Sequence, residues 1–237
     1  MSISKIFPFL LLSGCLLSQV AFTPQESVNI LTGAEKKSGW KLLFDGKTLK
    51  GWHPYNNAKS DGWTIANGEL VNKTQGVSNR ADLVTNDVYE NFDLQLDWKV
   101  NNGANSGLLY RVKEGKWPAY ESGPEYQFID DNGYADKLED WQKSGADYAM
   151  HPPTQLVANA VGTYNHTRII AKKGHIEHWL NGVKVASFDM WTPEWKELKS
   201  KGKWKDVKEY GIQKIGHIAL QDHGGGITFR NIKIRKL

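Results

Sequence analysis

The sequence predicts a single all-β domain built as a sandwich, and three observations carry that prediction. Short runs that alternate apolar and polar residues recur from Trp40 to the C-terminus. Gly, Asn and Asp turn signals separate them. No stretch keeps a helical period long enough for a strand–helix–strand unit. A chain of 237 residues fits one large all-β domain, and at this length it buries most of its apolar surface without covalent staples. The domain is expected over residues 39–237, behind a leader at 1–21 and a polar tether at 22–38.

Taken in chain order, the leader comes first. Lys5 precedes the apolar run of residues 6–12 and then Ser13-Gly14-Cys15, the form of a secretory signal and too short for a membrane span. Residues 12–15, Leu-Ser-Gly-Cys, are similar to a bacterial lipobox, where cleavage precedes a cysteine that is then lipidated. Cys15 is the only cysteine in the chain. Lipidation there would attach the protein to a membrane and place it in the periplasm or on the cell surface. Plain secretion is the alternative, with cleavage near Ala21 and Gln19 where small residues are usual. In either case the mature domain forms no internal disulfide and relies on its core.

The strands follow. Residues 63–65 and 69–72 flank Asn67-Gly68, a two-residue hairpin signal. Residues 92–100 alternate almost perfectly, with Phe92, Leu94, Leu96, Trp98 and Val100 on one face. Residues 106–112 and 125–129 are further strands. Residues 168–171 and 175–180 flank a Lys-Lys-Gly turn, Asn181-Gly182 leads into 183–188, and 216–221 and 227–234 close the chain. Two stretches lack strand pattern, 131–160 and 189–213. In all-β enzymes such excursions often cover the site. The lysines of the second stretch, Lys203 among them, read as a solvated segment with helical character.

The net charge of +4 is mild and the lysines are dispersed, so there is no nucleic-acid footprint. Ten Trp and nine Tyr are an excess that suits a heavy core or stacking platforms for flat ligands such as sugars. Trp52, Trp63, Trp117 and Trp141 are the platform candidates.

Three segments carry candidate chemistry. In residues 123–130, Tyr126 and Phe128 suit the core, which turns Glu125 and Gln127 to the other face. There a carboxylate and an amide two apart can grip hydroxyls, and the carboxylate can act as a base. In residues 218–226, Gln221 and His223 share a face at a strand end, beside Asp222 and before a glycine run. Imidazoles suit acid–base work or metal ligation. The glycines lack the Lys-Ser/Thr of a phosphate loop and read as a turn needing positive φ. In residues 105–111, Arg111 within a strand implies a pairing or a grip on an anion or carbonyl, and Asn105 and Ser106 at the strand entry suit sugar hydroxyls. Gly-x-Ser-x-Gly and His-Glu-x-x-His are both absent. So is Glu-x-Asp-x-x-Glu, which removes local support for a two-carboxylate glycosidase. The segment at His175 to Trp179 lacks zinc-motif spacing and reads as an exposed hairpin.

Taken together, Phe44-Asp45-Gly46-Lys47-Thr48-Leu49-Lys50-Gly51-Trp52, Asn105-Ser106-Gly107 with Arg111, Gly123-Pro124-Glu125-Tyr126-Gln127, His178-Trp179-Leu180-Asn181-Gly182 and Leu220-Gln221-Asp222-His223-Gly224 with Phe229-Arg230-Asn231-Ile232 resemble the 3-keto-disaccharide hydrolase family. The resemblance spans Trp40 to Leu237. It implies a concanavalin A-like sandwich, a jelly roll of two curved antiparallel sheets. It also implies export and the cleavage of glycosides already oxidised at C3. Tyr164-Asn165 departs from the family, whose members often carry Trp before that Asn. A C3 keto group acidifies the C2 proton, so a base can remove it, the C1 oxygen leaves by β-elimination, and water adds to the enone. That chemistry needs no carboxylate pair. Placed on the family motifs, Glu125 or His223 would be the base, and Arg111 or a bound divalent cation would stabilise the enolate. Gln127, Gln221, Asn105 and Asp222 would contact the sugar. A non-catalytic carbohydrate-binding module on the same fold is the alternative, and an adhesive surface protein a third.

Overall fold

The computed structural model describes residues 28–237 together with Met1. The leader and Cys15 lie outside the described residues. Among the described residues no helix is long and apolar enough to cross a membrane.

The strands are β1 (Lys41–Leu42), β2 (Trp52–Pro54), β3 (Trp63–Ala66), β4 (Glu69–Asn72), β5 (Leu83–Thr85), β6 (Phe92–Val100), β7 (Asn105–Val112), β8 (Glu125–Ile129), β9 (Asn165–Lys172), β10 (His175–Leu180), β11 (Val183–Asp189), β12 (His217–Leu220) and β13 (Ile227–Lys236). The described residues also hold two short α-helices, α1 (Gly33–Lys37) and α2 (Pro193–Lys201), and three single 3-10 turns at Tyr55–Asn57, Ala119–Glu121 and Asp140–Gln142. One antiparallel sheet runs β11-β10-β9-β6-β13-β4-β3, with β1 also on β13; the other runs β2-β5-β12-β7-β8.

The sandwich forms because each sheet has one apolar face. β6 buries Phe92, Leu94, Leu96, Trp98 and Val100, the face its alternation predicts. Across the core, β7, β8 and β12 contribute Leu108, Tyr110, Tyr126, Phe128, Ile218 and Leu220. Trp98 packs on Phe128 at 4.7 Å between ring centres and donates its indole N–H to Thr167 at 2.9 Å, so its one polar atom is satisfied. His178 lies in this core, not on an exposed hairpin. It contacts the Tyr110 hydroxyl at 3.2 Å and the Gly145 carbonyl at 3.1 Å, and burial drives its pKa down to about 3.

The turns follow their sequences. Asn67-Gly68, Lys173-Gly174 and Asn181-Gly182 all take positive φ at both residues, the twist that tight hairpins require. Gly224, Gly225 and Gly226 are also all positive in φ, and a side chain at 225 would strike the Lys73 backbone.

Residues 28–38 are not a free tether. Asn29 is buried, its amide N–H donates to Asn231 at 2.7 Å, and its side chain donates to the Gly68 carbonyl at 2.7 Å. Thr32 and Glu35 form a capping box on α1, and Glu35 pairs with Lys233. The polar composition reflects an exposed surface strap.

Candidate active site

The outer face of the five-stranded sheet is divided in two. Val84, Leu109, Val112 and Ala219 make an apolar half, covered by Tyr55 and Ala119. The other half is polar. Asn105, Glu125, Gln127, Gln221 and His223 line a cleft of about 180 Å³, walled also by Tyr120, Tyr148, Lys203 and Trp204. Alternation along β7, β8 and the end of β12 brings these five side chains together, as their shared strand faces predict.

The excursions close over this face. Residues 145–148 pair with the open edge of β8: Gln127 N–H donates to Ala146 O at 3.1 Å, and Tyr148 N–H to Glu125 O at 3.0 Å. From the second excursion, Tyr210 stacks on Trp195 of α2 at 6.2 Å and on Trp204 at 4.3 Å. This three-ring stack presents Trp204 and Lys203 to the cleft. The Lys203 ammonium sits 4.5 Å over the Tyr148 ring and 4.9 Å over that of Trp204. Lys203 is therefore a site residue and not simply a solvated charge. The surrounding run of lysines masked it in the sequence; the adjacent Trp204 was the available signal.

Glu125 is the most perturbed group of the cleft. Burial pushes its pKa up to about 8, against a smaller downward pull from Lys203, so it carries a proton at pH 7. Its carboxyl rests on Gly107 of the neighbouring strand. A Cβ there would lie 2.7 Å from the Glu125 carboxyl carbon, so only glycine leaves room. Gln127 Oε1 and Asn105 Oδ1 are buried with no hydrogen-bond partner. Unsatisfied acceptors that converge beside a neutral acid suit the hydroxyls of a ligand. His223, exposed at the rim, lines this cleft and the cavities on either side of it.

Other expectations are corrected. Arg111 is not in the cleft. It sits at a bulge where the pairing of β7 with β12 slips, with φ +57°, and this reverses the side on which its chain emerges. Its guanidinium is buried, donates to the Met190 sulfur at 2.9 Å and lies 4.8 Å from the Trp191 ring. Among the described residues no carboxylate forms an ion pair with it. Asp222 is turned from the cleft as well: its wholly buried carboxylate is held by Arg80 at 2.6 Å. Ser106 faces the core side, its hydroxyl on the Gln221 carbonyl at 2.8 Å. Trp52 is core, Trp63 packs on Phe229, and Trp141 packs edge-on against Tyr148. Tyr164 stacks on Arg230 at 3.8 Å, so the departure there concerns packing on the large sheet. Among the described residues no group of three or more His, Cys, Asp or Glu stands together to hold a metal ion.

Asp82 went unnoticed in the sequence, having no motif around it. It stands just before β5, accepts the Asp222 N–H at 2.8 Å, and burial pushes it up to about 6. It lines a second cavity of about 570 Å³, which shares Tyr120, Gln221 and His223 with the cleft.

Residues 39–235 match the model of the 3-keto-alpha-glucoside-1,2-lyase-like domain. The chain belongs to this family. It is a hydrolase of glycosyl bonds, 32% identical over 228 residues to the 3-keto-disaccharide hydrolase of Bacteroides thetaiotaomicron, with 84% of this chain and 79% of the relative covered. A candidate glycosyl hydrolase from Parabacteroides distasonis superposes with TM-score 0.83 at 40% identity, over 89% of this chain and all 100% of the other. A second from the same organism gives 0.66 at 32% identity, over 84% and 99%. A carbohydrate binding module from Bacillus subtilis, at 11% identity and TM-score 0.51 over 78% and 96%, shares the fold alone. Both sheets, but for the last residue of β13, lie within the matched segment, and so does every residue of the cleft.

Proposed function

We propose that this chain cleaves glycosides already oxidised at C3, by elimination and then hydration, in the cleft around Glu125. The observation that carries the reading is a buried carboxylic acid, neutral at pH 7, set among unsatisfied acceptors and beside an exposed imidazole. That pattern does not match a glycosidase that needs an ionised carboxylate and an acid flanking one bond. It does match the generation of an enolate, where a neutral acid donates a hydrogen bond to the developing oxyanion.

In this reading His223 removes the proton from C2 of the keto sugar and the electron pair moves onto the C3 oxygen. Glu125 donates its hydrogen bond there, supported by the Lys203 ammonium. Arg111 takes no part. Collapse of the enolate restores the C3 carbonyl, forms the C1–C2 double bond and breaks the bond from C1 to the leaving oxygen. Asp82, which burial raises to about 6 and so keeps protonated in part near neutral pH, gives that oxygen its proton. Water then adds at C1, yielding its proton to the Asp82 carboxylate, while protonated His223 returns its proton to C2. The net change is one glycoside and one water to a 3-keto sugar and an alcohol. Gln127, Asn105 and Gln221 hold the hydroxyls.

The test compares a methyl 3-keto-glucoside with methyl glucoside, following the released sugar and transient enone absorbance. Turnover of the keto substrate alone is expected. Equal or faster turnover of the unoxidised glycoside would sink the proposal.

A further inference from the structure

We infer that the 570 Å³ cavity beside the cleft is the subsite for the leaving group, built for a flat six-membered ring with an apolar face and a polar edge. The inference rests on the reading of the cleft as the seat of the keto sugar, and four observations carry it. The first is size. Pockets that bury small-molecule ligands run from about 300 to 1,000 Å³. The cleft at about 180 Å³ is below that range, whereas the neighbouring cavity at about 570 Å³ is within it. The cleft alone is therefore too small for a two-ring substrate, and the adjoining cavity has room for the second ring.

The second is continuity. Tyr120, Gln221 and His223 are walls of both spaces, so a ligand bound against His223 in the cleft has its other end in the larger cavity. The third is the lining. Trp117 and Tyr55 offer aromatic surface there, and Tyr55 is fixed by donating its hydroxyl to the Trp117 carbonyl at 2.9 Å. The Trp117 ring is itself seated, packed against Gly115, where a Cβ would lie 2.6 Å from its Cε2. Its indole N–H is tied to the Lys113 carbonyl at 3.3 Å. A half-exposed aromatic held in one orientation is a stacking platform at low entropic cost. The fourth is polarity at the junction. Asp82 and the guanidinium of Arg80, which the buried Asp222 carboxylate holds in place, lie in the same cavity, where the hydroxyl edge of a ring would meet them. The cavity on the far side of His223, about 330 Å³, is lined by the Gly224–Gly226 turn and by Asn101 and Asn102, with Tyr134 its one aromatic side chain, and offers no comparable seat.

The experiment uses the full chain, a 3-keto-disaccharide and methyl 3-keto-glucoside. Trp117→Ala is expected to raise KM for the disaccharide about tenfold and to leave kcat/KM for the methyl glycoside within about twofold. Ala58→Trp, which fills the cavity from its rim, should have the same selective effect and keeps the test open if Trp117→Ala does not fold. Equal loss on both substrates in a folded Ala58→Trp protein, or no loss on either, overturns the inference. A separate readout does not depend on turnover. Titration with the unoxidised disaccharide should shift the indole N–H resonance that Trp117→Ala removes. If wild-type protein turns over neither keto substrate but that resonance shifts, the subsite stands and the proposed reaction falls. If the resonance does not move while turnover proceeds, the subsite falls and the reaction stands.

Discussion

Glu125 and Gly107 act as a unit. The glycine on β7 leaves the space that the buried carboxyl on β8 occupies. Gly107→Ala suits a strand better than glycine does, so the fold should survive while the carboxyl is driven from its seat. The expected outcome is a loss of at least about a hundredfold in kcat, the size of a lost oxyanion donor, with a thermal midpoint close to wild type. Glu125→Gln separates two roles. An amide still donates a hydrogen bond but cannot take a proton. If Glu125 is the donor, Glu125→Gln keeps a measurable fraction of kcat and loses the fall in activity expected as pH rises through about 8, where wild-type Glu125 ionises. If it is instead the base, the variant is inert and wild-type activity rises with pH through the same range. His223→Ala should abolish turnover under the first assignment. These residues were readable in the sequence because strand alternation decides which side chains share a face. Arg111 was not, since a single bulge with positive φ reverses that parity locally and nothing in the sequence at residues 110–112 announces it.

The scaffold strands and the turn after β12 carry five of the nine cleft residues, the connection between β7 and β8 supplies Tyr120, and the two excursions supply Tyr148, Lys203 and Trp204. Hairpins at Asn67-Gly68 and Asn181-Gly182 were legible because the turn chemistry is local. Tyr148, Lys203 and Trp204 were hidden because their place depends on where long loops return, which neither periodicity nor composition encodes. What returns the second loop is the ring stack of Trp195, Tyr210 and Trp204. Tyr210 is its middle member and is fully buried. Tyr210→Ala should cost about 3 kcal/mol in chemical denaturation and should lower kcat/KM as Trp204 and Lys203 lose their backing. Tyr210→Phe keeps the stack, and the hydroxyl it removes has no hydrogen-bond partner. Its stability and activity should stay near wild type or rise slightly. Parallel loss in both variants would show that the hydroxyl matters and the stack does not.

The whole molecule holds its site at a cost in stability that depends on pH. In the folded protein Glu125 keeps its proton up to about 8, whereas the ordinary value is 4.5. Between those values the unfolded chain has released a proton that the native state retains, so stability falls as pH rises through the window. Each pH unit is worth about 1.4 kcal/mol, which makes the Glu125 contribution on the order of 3 kcal/mol by pH 7. His178 works in the opposite direction. Its folded value of about 3 lies below the ordinary 6.5, so the unfolded chain takes up a proton first and stability falls as pH drops below 6.5. From 4.5 to 6.5 the two slopes oppose each other and this pair contributes a plateau. Above 6.5 only Glu125 is still losing ground, until it ionises. Glutamine at position 125 has no charge to desolvate, so Glu125→Gln should match wild type near pH 4 and exceed it by on the order of 3 kcal/mol at pH 7. Denaturation curves of the two proteins at pH 4, 5.5, 7 and 8 measure the gap directly. A gap that widens with pH identifies the buried acid as stability given up at the site for function. A gap constant across the series would mean that Glu125 is ionised in the folded protein and that the neutral donor assigned to the enolate does not exist.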